Sequence, residues 1–297
     1  MPRLAPAALV AMALFAGCST TDDSTATSST TQAEEAPSPP SALGTASLPL
    51  GDGKYTTAPA KGSVFSCQRF GGGGGAFRDG PWIDVAAGTW DPAAKLAVRG
   101  SIDRHGSLTG RTSGGGETLT GNGLPTVPTG TFPIAADDPA YRYDRNPNSV
   151  TGYTLDVDLP APETAPAPSC VGGTIGVSVL GVAIYSAFDA MGRDAAGHEV
   201  QDDCDGHPER TGQYHYHSLS SCWSDVAGFD PGLFGYALDG FGIYVQRTAG
   251  GALPSSAQDA RKPDRHRLHL CWHVDGSGRR RAGIATEARS AEGAPTA

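Results

Sequence analysis

Beyond its N-terminus the chain has no apolar run of about 18 residues, which excludes a transmembrane helix in the mature protein. Aromatic residues are few, at 7%, while glycine (41) and proline (23) are plentiful. That balance excludes an architecture of long helices and points to short strands and turns. Excess basic charge is also missing. The formal net charge is −9, which argues against a nucleic-acid surface or an anionic membrane face. The five-glycine run Gly71 to Gly75 lacks a following Lys-Ser or Lys-Thr and opens no helical pattern. It is therefore not a phosphate loop and reads as a flexible loop. There is no Gly-x-Ser-x-Gly elbow, so that route to a serine hydrolase is closed.

What is present begins with an export signal. Arg3 supplies a positive start, Leu4 to Phe15 is apolar apart from Pro6, and Leu14-Phe15-Ala16-Gly17-Cys18 reads as a lipobox. The expectation is a signal peptide over residues 1–17 and a lipidated Cys18. Residues 18–47 are rich in Ser, Thr, Ala, Glu and Pro and cannot bury a core. They form a tether of roughly 30 Å end to end. The protein is then held by its lipid at the extracytoplasmic face of the cell envelope, with the membrane as its one named partner. A small-molecule or envelope ligand cannot be named from the residues.

From residue 48 the pattern is that of strands. Trp82-Ile83-Asp84-Val85, Lys95 to Ile102 and Tyr153 to Leu159 alternate apolar and polar, as half-buried antiparallel strands do. Residues 110–123 read as a Gly/Thr-rich loop or hairpin end. Ile175 to Tyr185 is apolar and β-branched, and predicts two buried strands with a turn near Leu180-Gly181. Phe234 to Val245 predicts a hairpin about Asp239-Gly240. The expected fold is a mainly β, antiparallel, sandwich-like single domain with Gly/Pro-rich loops and little helix.

The chemistry concentrates in Cys204-Asp205-Gly206-His207-Pro208 through Tyr214-His215-Tyr216-His217, closed by Cys222. On a strand, His215 and His217 share one face and Tyr214 and Tyr216 the other. His207, before a Gly-containing turn, can join as a third ligand. His198, Asp205 or Asp239 can supply a fourth ligand or an acceptor behind the histidines. Imidazole ligands suit zinc or copper. Two other readings stand beside this one. The histidines and tyrosines can be packing within a disulfide-stapled core of a non-enzymatic surface module. Alternatively His215 or His217 is a general base oriented by Asp205, Glu209 or Asp239, with Ser218 and Ser221 nearby. Export makes disulfides the default, and Cys204 with Cys222 is the local pairing.

These segments carry a resemblance. Gly181-Val182-Ala183-Ile184-Tyr185, Phe188 to Asp194, His198-Glu199-Val200-Gln201-Asp202, the Cys204 to His217 run and Gly235 to Tyr244 resemble the YHYH-domain family of bacterial secreted proteins. So does Asp144-Arg145-Asn146-Pro147-Asn148-Ser149, and the likeness covers roughly residues 48–257. The family is named for its motif and implies location and fold rather than an activity. Within this likeness the remaining disulfide is Cys67 with Cys170, and Cys271 is left over. After about residue 257 the pattern changes. Residues 259–297 hold eight basic against five acidic side chains, and the family's closing cysteine and Tyr/His-rich strand are not legible. Residues 258–297 therefore read as an atypical basic tail, either the product of a change of reading frame or a genuine divergent tail whose His266, His269 and His273 extend a metal site.

Overall fold

The structure is a computed structural model and describes residues 47–60, 62–163 and 167–245, with the backbone alone of 271–274 and 280–283. The signal segment, Cys18, the tether up to residue 46 and most of the basic tail lie outside the described residues. No described helix is long and apolar enough to cross a membrane.

The opening strands are two residues each: β1 (Leu48–Pro49), β2 (Tyr55–Thr56), β3 (Val64–Phe65), β4 (Ile83–Asp84) and β5 (Thr89–Trp90). Strands β1, β5 and β4 form one small antiparallel sheet, and β2 pairs in parallel with β3. The Gly/Thr-rich stretch is more ordered than the sequence suggested. It forms β6 (Leu108–Ser113) and β7 (Gly116–Gly121), with Gly114 and Gly115 turning between them at φ of 60° and 84°. Positive φ is cheap only for glycine, which explains the pair there. β8 (Leu155–Leu159) completes this sheet, burying Leu155 and Leu159 and exposing Asp156 and Asp158 as the alternation required.

The larger sheet carries the motif. It contains β9 (Thr174–Ser178), β10 (Ala183–Tyr185), β11 (Gly206–Pro208), β12 (Tyr214–Tyr216), β13 (Leu233–Ala237) and β14 (Gly242–Val245). The backbone of β15 (Cys271–Val274) and β16 (Arg280–Gly283) joins its far edge, where the sequence suggested no strand. The order is β11-β12-β10-β9-β13-β14-β16-β15. Most neighbours are antiparallel, but β10–β12 and β14–β16 run parallel. The turn at Leu180-Gly181 is present, with Gly181 at φ 91°, and so is the Asp239-Gly240 turn, with Gly240 at φ 84°. A Cβ on Gly240 would sit 2.0 Å from the Pro160 carbonyl oxygen, so this position requires glycine twice over.

Among the described residues helix is confined to the turn Pro139–Arg142 and to α1 (Ala195–His198), whose start is capped by the Asp194 carboxylate accepting from Gly197 N–H. Lys95 to Ile102 makes only isolated bridges, Val98 to Asp202 and Ile102 to Thr129, because its backbone partners are loops. Tyr214, Tyr216, Val182, Ile184, Phe234 and Leu233 form the centre of the main core. Two disulfides are present among the described residues. Cys67–Cys170 ties β3 to the approach of β9, and Cys204–Cys222, 18 residues apart, brackets β11 and β12.

Candidate metal centre

Strands β11 and β12 pair antiparallel in a register that sets His207 directly opposite His215. The two-residue period of β12 then carries His217 to the same face. The side chains of His207, His215 and His217 are 4%, 3% and 5% exposed, and their ligand atoms all lie within 4.8 Å of one another. Tyr214 and Tyr216 point the other way, into the core, and both are fully buried.

The hydrogen bonds fix the tautomers. His215 Nδ1 lies 3.1 Å from the Gln213 carbonyl oxygen, and His217 Nδ1 lies 2.6 Å from that of Ser186. A carbonyl oxygen only accepts, so both Nδ1 atoms carry the proton and donate. In the neutral ring each Nε2 is then a bare lone pair, yet the two Nε2 atoms are 3.0 Å apart. Two lone pairs do not bond each other, so this contact satisfies neither nitrogen. Both ring nitrogens of His207 are buried without a hydrogen-bond partner. Burial, with the neighbouring imidazoles, holds the His207 and His215 pKa values well below the usual range, and burial brings His217 down to about 4. The three rings are neutral at neutral pH, with the protonation state a metal ligand needs.

Glu199 is the acidic neighbour. Its Oε2 is buried without a hydrogen-bond partner, 3.5 Å from His207 Nε2 and 3.4 Å from His217 Nε2. Burial, together with the charges of Asp144 and Asp189, raises its carboxyl well above the ordinary range. The sequence reading passed over Glu199 and put His198 forward. The backbone after α1 is extended at Glu199 (φ −76°, ψ 143°), so successive side chains diverge. His198 turns to Asp79 (2.9 Å) and Asp52 (3.0 Å), while Glu199 turns to the imidazoles. Period two over His198-Glu199 was the available signal.

The other candidates sit elsewhere. Asp239 is exposed in the β13–β14 turn, and the histidine cluster is assembled without it. Asp205, in the left-handed region at φ 63°, accepts from Ser221 N–H and so braces the stapled turn. Glu209 accepts from Thr211 N–H. Ser221 Oγ donates to the Asp203 carbonyl rather than to an imidazole. Asp144 and Asn146 form successive turns, and both brace the site. Asp144 accepts from Val200 N–H beside Glu199, and Asn146 Nδ2 donates to Pro208 O on β11. Tyr185 stacks on His215 at 3.9 Å between ring centroids and donates to Gln213 Oε1.

A family model described as YHYH protein matches residues 142–269. Those residues are a YHYH domain. The match takes in Asp144 to Ser149, α1, both histidine strands and β14, begins well after residue 48, and runs past 257. No curated protein matches the chain, and no solved structure does. The glycine run lies outside the matched YHYH segment yet reaches its site. Gly71 to Gly74 are exposed, but a Cβ on Gly75 would meet Asp189 Oδ2 at 2.8 Å, Arg193 Nη2 at 3.2 Å and Glu199 Oε1 at 3.2 Å.

Lys95 packs beside the YHYH domain and gives a pH dependence. Its ammonium donates to Ala196 O and Gln201 Oε1, and burial lowers its pKa to about 8, against the pull of Asp205 and Asp194. Between about 8 and the model-peptide value near 10.4 the unfolded chain holds this proton and the folded chain does not. Stability therefore rises with pH across that window. For this part-buried group the expected gain is about 1–2 kcal/mol in metal-free protein. Urea titrations at pH 8 and pH 10 on wild type and Lys95→Met check it; an equal slope in both rules Lys95 out as the cause.

Proposed function

We propose that this is a metal-binding protein of the cell envelope, holding one divalent transition ion, zinc or copper, on His207, His215 and His217. The observation that carries the reading is the pair of Nε2 lone pairs facing each other at 3.0 Å, with both Nδ1 protons committed to backbone carbonyls. Packing alone gives no reason for that arrangement. A bound ion supplies a positive centre for all three nitrogens at once. The lipobox and tether of the sequence support a site held off the membrane on a lipid anchor, facing the extracytoplasmic space.

The alternative, a structural role for the motif, describes its tyrosines. Tyr214 Oη donates to the Asp202 carboxylate within the core. The motif thus divides by face, with support on one side of β12 and ligands on the other.

Metal content by mass spectrometry tests the reading on mature chain purified without a histidine tag and reloaded with zinc or copper. About one equivalent is expected in the wild type, and none in His215→Ala/His217→Ala. A wild type that takes up neither ion would overturn it.

A further inference from the structure

Resting on the metal reading above, we infer that Glu199 is the fourth ligand and that it closes the site. Three imidazoles leave one corner of a tetrahedron open. With bonds of about 2.0–2.1 Å, adjacent ligand atoms of a tetrahedral zinc ion stand about 3.3 Å apart. Glu199 Oε2 lies 3.4 Å from His217 Nε2 and 3.5 Å from His207 Nε2, and the His215–His217 edge is 3.0 Å. Three edges of the polyhedron are already at ligand spacing. The same Oε2 is buried with no hydrogen-bond partner, a state that carries a large desolvation cost unless a cation meets it.

The chain fixes this carboxylate from behind. Val200 N–H is held by Asp144 Oδ2, which sets the extended segment after α1 that presents Glu199. Gly75 passes so close that a Cβ there would clash with Asp189 Oδ2 at 2.8 Å and press on Arg193 Nη2 and Glu199 Oε1, each at 3.2 Å. Its φ of 73° also disfavours a Cβ. Gly75 is thus a positioning residue for a ligand 124 positions later in the chain.

A set of three nitrogens and one oxygen, all from protein, belongs to the closed class of zinc site, in which no water occupies a coordination corner. The carboxylate adds a hard, anionic donor and favours a divalent ion over Cu(I). Such a site holds its ion for structure or storage, and it argues against the hydrolase reading.

The test uses the full mature chain, with zinc affinity by chelator competition and the visible spectrum of the Co(II)-loaded protein. Wild type should bind one Co(II) with the intense bands of a tetrahedral site. Glu199→Gln should weaken zinc binding by roughly 100-fold and lose Co(II) band intensity as water enters, while its metal-free melt stays near wild type. Gly75→Ala, which replaces no ligand but sets a Cβ 3.2 Å from Glu199 Oε1, should weaken zinc binding by roughly 10-fold. If Glu199→Gln fails to fold, Glu199→Asp, which withdraws the charge by one methylene, must show the same spectral change. Wild-type affinity and spectrum in the Glu199 variant would remove it from the site and leave a three-histidine centre standing. Absence of metal from wild type would instead remove the reading on which this rests.

Discussion

Zinc is expected to raise the melting temperature of the metal-stripped protein by roughly 10 °C, and His207→Leu to reverse the order of stabilities between the two states. An ion that binds only the folded chain stabilises it by about 4 kcal/mol at 1,000 times its dissociation constant. A domain of about 200 residues gains roughly 2–4 °C per kcal/mol. Without metal the centre is a liability. Both nitrogens of His207 are buried and unpartnered, and the lone pairs of His215 and His217 oppose each other. An unsatisfied buried polar group costs about 1–3 kcal/mol. Leucine fills much of the imidazole's volume and brings no polar atom. In chelator, His207→Leu should therefore melt above wild type, by about 1–2 kcal/mol of stability. In zinc it should melt below, because a ligand is gone. Calorimetry on both proteins in both conditions reads four melts. Wild type above the variant in chelator, with no shift on adding zinc, would make His207 a packing residue.

The parts of the site that were legible in the sequence are those governed by local rules. Tyr-His-Tyr-His alternates, so a strand must separate its histidines from its tyrosines, and it does. Leu180-Gly181 and Asp239-Gly240 demand positive φ at glycine, and the turns form there. Cys204 and Cys222 are close along the chain and pair. What was not legible depends on distant partners. His198 looked like a ligand because it is a histidine near the motif. Its environment is set by Asp52 and Asp79, 146 and 119 positions away, which raise its pKa despite the lowering effect of burial. Glu199 is adjacent to it and is the residue that turns to the imidazoles, a distinction that turns on one extended residue. Gly75 read as slack in a loop, and only the tertiary approach of Asp189, Arg193 and Glu199 shows why it has no side chain. The parallel pairing of β10 with β12 is likewise invisible locally, since nothing in either strand specifies the direction of a partner about 30 residues away.

The tyrosine face should prove the more sensitive to substitution. Asp202→Ala is expected to cost about 4 kcal/mol of folding stability, and to weaken metal binding although Asp202 touches no histidine. The Asp202 carboxylate accepts from Gly130 N–H (2.8 Å), Cys204 N–H (3.0 Å), Gly206 N–H (3.3 Å) and Tyr214 Oη (2.8 Å). Its removal strands three backbone donors and a phenol in the core, each worth about 1 kcal/mol or more. Burial pushes its carboxyl up to about 7 against those donors, so the comparison belongs at pH 8, where the charged form is present. Tyr214→Phe removes one donor and leaves the carboxylate its other three, and should cost only about 1–2 kcal/mol. Denaturant unfolding of both variants gives the two numbers; a loss under about 1 kcal/mol for Asp202→Ala would sink the argument. The link to the metal follows from position. Asp202 holds Gly206, the first residue of β11, and Tyr214, the first of β12, and those strands set His207 against His215. Loss of zinc affinity in Asp202→Ala, with every ligand in place, is what that shared anchor requires.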